Sequence, residues 1–122
     1  MPIMLIIRRE QWDALSRYMV DRFEDDVVKY LQRKFQQKTE GLPEGDLRLL
    51  IQAGIKNAQR YGITIEADVV GYIECMMTYG VGFDTDAATA WAGESLNDAE
   101  LLGREKTKRL IQHLEKDSQG KT

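Results

Sequence analysis

From Arg9 to Phe35 apolar side chains return every three or four residues, at Trp12, Leu15, Met19, Phe23, Val27, Leu31 and Phe35. That spacing is one face of an α-helix, and charged residues fill most of the remainder. No Gly or Pro interrupts the run, so one helix of about 27 residues is expected, roughly 40 Å long. The alternative is a break at Glu24-Asp25-Asp26, where acidic residues suit the start of a second helix. Gln36 to Asp46 combines polar residues with two Gly and one Pro and reads as an interhelix loop. A helix from Glu44 or Asp46 to Tyr61 follows, with Leu47, Leu50, Ile51, Gly54, Ile55, Ala58 and Tyr61 on its buried face. Gly54 and Ala58, four apart, would let another helix approach closely.

Tyr61-Gly62 reads as the stop of that helix, because glycine takes the left-handed conformation without steric cost. Thr64 then stands where it can cap the next helix, with Glu66 and Asp68 at its positive end. Val69, Val70, Ile73, Met76 and Met77 supply that helix with apolar positions, and Gly80 offers its stop. Asp84 or Asp86 can cap a short helix through Trp91 to about Leu96. A last helix is expected from about Asp98 to Leu114, opened by a capping-box-like Asn97 and Glu100 and weakened in its middle by Gly103.

Ile3 to Ile7 is a continuous apolar run too short for a helix of its own. With no second strand-like run, a conventional sheet is not expected. The run reads as a short strand or an extended arm that covers its own domain, or that pairs across a dimer or with another protein. The whole is an all-α pattern: a compact domain of four to six helices over residues 1–117, with an apolar arm at 1–8 and a disordered tail at 118–122.

Charge refines this only slightly. Seventeen basic and twenty acidic residues give a formal −3, against the expectation for a general nucleic-acid binder. Residues 41–100 hold three basic and ten acidic residues, while 101–122 hold six basic and three acidic. An acidic middle and a basic end can orient a partner, or the basic end can complement its own helix dipole. The N-terminal MPIMLII lacks a basic leader and a long apolar core, so neither a signal peptide nor a membrane span is read there. One cysteine needs no oxidising compartment, and a cytoplasmic location is the default expectation.

The residues that carry chemistry form no familiar constellation. Cys75 lies within an apolar run and reads as a packed thiol. His113 is the only histidine, and a zinc site needs more ligands than one Cys and one His. Asp84-Thr85-Asp86 pairs two carboxylates but lacks the further oxygen ligands of a calcium loop. The terminal Gly120-Lys121-Thr122 lacks the upstream glycine of a phosphate loop, where Glu115 stands. A helix-turn-helix around Gly62 would present a helix without Lys or Arg to phosphates. No catalytic residue, metal ligand or cofactor is assigned.

The ordered string Tyr61-Gly62-Ile63, Glu66, Asp68-Val69, Tyr72, Met76, Gly82-Phe83-Asp84, Asp86, Trp91-Ala92 and Leu96 resembles a family of small helical bacterial proteins. Those proteins are often encoded beside type VI secretion spike, adaptor and effector genes. The resemblance spans about residues 12–111, with Ala90 and Gln36 standing where the family often has proline. It implies a non-catalytic accessory, chaperone- or adaptor-like, that binds a secretion effector or its adaptor. The alternative it implies is an immunity protein that neutralises a cognate toxin. On that reading Tyr61, Tyr72, Phe83, Asp84, Asp86 and Trp91 build the core or line a partner surface. Another protein is the expected partner, nucleic acid and membrane are not, and a homodimer is possible.

Overall fold

Apolar side chains on nearly every side of one helix decide the architecture. In a computed structural model, which describes the backbone of residues 9–119 and the side chains of 21–117, that helix is α4 (Glu66–Tyr79). Val69 and every residue from Gly71 to Met77 are buried on it. A helix that is apolar around its circumference must be enclosed, and α4 is. It packs against α1 (Arg9–Lys34), α3 (Glu44–Arg60) and α6 (Gly103–Gln119). A short α2 (Gln36–Thr39) turns the chain between α1 and α3, and α5 (Ala90–Leu96), preceded by one 3-10 turn at Ala87–Thr89, leans on α6. The described residues form six α-helices and no strand. The expected arm at 1–8 lies outside them, as do the side chains of Trp12, Leu15 and Met19.

α1 is one helix, and the acidic run that could have broken it is used sideways. Arg48 of α3 donates from Nη1 to Glu24 Oε1 (3.1 Å) and Asp25 Oδ1 (2.7 Å), and from Nε to Glu44 Oε2 (3.4 Å). Gln52 Nε2 donates to the other Glu24 oxygen at 3.2 Å. The buried Glu24 carboxylate thus keeps partners that replace water. Beneath this layer Val27, Val28 and Leu31 join Leu47 and Ile51 in the core.

Helix ends account for most departures from the sequence reading. The loop expected at 36–46 contains α2, held by the buried Thr39, whose hydroxyl donates to the Phe35 carbonyl at 3.0 Å. Thr64 does not cap α4: Ile65 holds the cap position without a side-chain bond, and Thr64 stands exposed one residue outside. The last helix begins at Gly103, five residues later than expected. Asn97 instead bonds back to the Gly93 carbonyl (2.8 Å), and Asp98 accepts from the Glu100 amide (3.0 Å), which together make a turn. The reciprocal half of a cap sits downstream, where the Leu102 amide donates to Glu105 Oε1 at 3.0 Å. α6 then continues to Gln119, through residues 118–119 of the expected disordered tail; residues 120–122 lie outside the described chain.

The glycine stops stand where the sequence placed them. Gly62 (φ 78°) and Gly80 (φ 112°) are the positive-φ residues of the described backbone, each just past a helix. Two lysines satisfy carbonyls at the same helix ends: Lys106 Nζ donates to Tyr61 O (2.9 Å) and Lys38 Nζ to Met77 O (2.6 Å). Both place a cation at the negative end of a helix dipole.

Candidate functional site

Four of the six candidate residues meet. Tyr61 closes α3, Tyr72 lies in the middle of α4, and Phe83 and Asp84 occupy the turn that follows α4. The Tyr61 hydroxyl donates to Asp84 Oδ2 at 2.6 Å, inside the protein. Tyr72 lies between Tyr61 and Phe83, with ring centroids 6.2 and 5.0 Å away. All four side chains are buried, so they form core and offer no contact surface in this structure. Asp86 is exposed and caps the 3-10 turn, accepting from the Ala88 amide at 2.9 Å. Asp84 is not the cap: its carboxylate is spent on Tyr61.

Trp91 belongs to a second group that the sequence did not announce. It meets Tyr79 edge-on at 5.2 Å and stacks on His113 at 3.8 Å with the rings 9° from parallel. Tyr79 is also 6.5 Å from Phe83, so an aromatic row runs from the buried Tyr61 outward to the half-buried Trp91 and His113. Tyr79 also donates its hydroxyl to Asp117, near the end of α6. Twenty-two residues separate Trp91 from His113, and no local spacing marks such a pair.

The Thr89 hydroxyl donates to the Phe83 carbonyl at 2.6 Å and so holds the turn on which Phe83 and Asp84 sit. A third arrangement missed in the sequence is Glu74, a buried acid within the apolar run. It accepts from Tyr30 and, at 3.2 Å, from Lys34, two α1 residues one helical turn apart. The signal was available in the i, i+4 pair Tyr30 and Lys34, since a buried acid needs a partner.

The groups with chemical potential are turned inward. Cys75 is fully buried, and burial together with the nearby Glu74 charge pushes its thiol up to about 12. A thiol so held is a poor nucleophile. Burial, then the bond to Asp84, raises the Tyr61 hydroxyl to about 12 as well. Both groups bind protons more tightly folded than unfolded, where the ordinary values are 9.0 and 10.0. Their stabilising contribution is therefore constant below pH 9 and declines as pH rises from about 9 to about 12. Urea midpoints are expected to fall across that range, and Cys75→Ala should flatten the early part of the decline. A thiol reagent at pH 8 should label Cys75 only as fast as the protein opens.

The two tyrosines of the core should separate under the same change. Tyr61→Phe leaves a buried Asp84 oxygen without its donor and is expected to cost about 1–3 kcal/mol in denaturant unfolding. The Tyr72 hydroxyl has no hydrogen-bond partner among the described residues. Tyr72→Phe removes an unpaired buried polar group and is expected to leave stability unchanged or raise it by up to about 1 kcal/mol.

Two surface features remain. A groove of about 550 Å3 runs between α1, α4 and α6, floored by Phe23, Val27, Val70 and Ile111 and edged by Asp26 and Glu66. At the other feature, Gly103 seats the start of α6 directly on Gly62 and Ile63. Leu102, next to Gly103 in the chain, is 72% exposed, and Ile65, two residues past Ile63, is 47% exposed. Among the described residues no helix is long and apolar enough to cross a membrane. No group of three or more His, Cys, Asp or Glu is placed there to hold a metal ion. Comparison with family models, curated proteins and solved structures finds no match to this chain.

Proposed function

We propose that this chain is a non-catalytic binding protein, an accessory that engages a secretion effector or its adaptor. The reading joins the resemblance of the Tyr61–Leu96 block to helical proteins encoded beside type VI secretion genes with one observation. That observation is the exposure of two large apolar side chains, Leu102 and Ile65, each within two residues of the contact that Gly103 makes with Gly62 and Ile63. Exposed large apolar side chains beside a rigid backbone contact are suited to anchor a partner. Arg60, Glu66, Arg104 and Glu105 are all exposed and lie close in sequence to this contact, so its polar surround carries both signs of charge. The buried thiol supports binding over nucleophilic chemistry.

The test is co-expression with the neighbouring genes, followed by co-purification and by a toxicity assay. A stable complex that is lost in Leu102→Glu and Ile65→Glu, with the helical spectrum intact, supports the accessory role. Rescue of cells from one toxin would instead mark the chain as an immunity protein. A chain that elutes alone from every co-expression removes the reading.

A further inference from the structure

No further inference is drawn: the strongest candidate, the groove between α1, α4 and α6 with its apolar floor and the exposed Asp26 and Glu66 at its edge, is an unpartnered apolar face, and nothing in the structure shows what covers it.

Discussion

Phe83→Ala is expected to lower the unfolding free energy by about 3–5 kcal/mol, the range for a large buried aromatic cut to a methyl. Phe83 is 1% exposed and packs on Tyr72 and Tyr79, with centroids 5.0 and 6.5 Å away. It is the link between the Tyr61–Tyr72 cluster and the outer Tyr79–Trp91–His113 group, so its loss opens a void at their junction. A domain of this size is typically stable by about 5–15 kcal/mol, so the variant should be visibly marginal at 37 °C. Equilibrium urea unfolding followed by circular dichroism measures it. Phe83→Leu, which refills part of the void, should recover more than half of the loss. A change of under about 0.5 kcal/mol would mean that the ring is a surface group, as a partner-contact role would require.

The sequence named Tyr61, Tyr72, Phe83 and Trp91 but left open whether they build the core or line a partner surface, and it did not say which of them meet. Tyr61, Tyr72 and Phe83 are spread over 23 residues that include one helix with no polar face, so their convergence is nearly forced once α4 is buried. The Trp91–His113 stack joins α5 to α6 across a turn whose geometry depends on Asn97, Asp98 and Glu105 bonding to particular backbone groups. Those residues suit a cap or a turn equally well, so the start of α6 was misplaced and nothing in the sequence pointed to the stack. The same ambiguity hid α2, a single turn stabilised by one buried threonine hydroxyl. Periodicity, by contrast, carried α1, α3 and α4 almost to their ends, because a repeated apolar stripe over many residues has one good solution. Glu24-Asp25-Asp26 shows the limit of local signals. The same acids that could start a helix are here held by Arg48, twenty-three residues from Asp25.

Gly103→Ala is expected to destabilise by about 3 kcal/mol, at the upper end for overpacking and opposite in sign to the usual effect at a helix start. A Cβ there would lie 2.2 Å from the Gly62 carbonyl oxygen, 2.9 Å from its carbon and 3.2 Å from Ile63 Cα. All three are backbone atoms, in a turn pinned by the positive φ of Gly62 and by Lys106 on the Tyr61 carbonyl. Relief requires moving the first turn of α6 away from the α3–α4 turn, and Leu102 with it. Gly54→Ala makes the control. Its Cβ would meet Ile73 Cγ1 at 2.6 Å and Met76 Sδ at 3.0 Å, which are side-chain atoms. The Met76 sulfur can shift, whereas Ile73 is a buried β-branched side chain that yields less, and alanine regains about 1 kcal/mol of helix propensity, so a net cost of about 1–2 kcal/mol is expected. The sequence marked Gly54 as a close approach because Ala58 shares its stripe. It cast Gly103 as a mere weakness in a helix, because the backbone it touches is some forty residues away. Thermal and urea unfolding of the two variants side by side measures the difference. Equal losses would mean that the α6 start yields as readily as the side chains around Gly54, and the rigid backbone contact beside Leu102 would go with it.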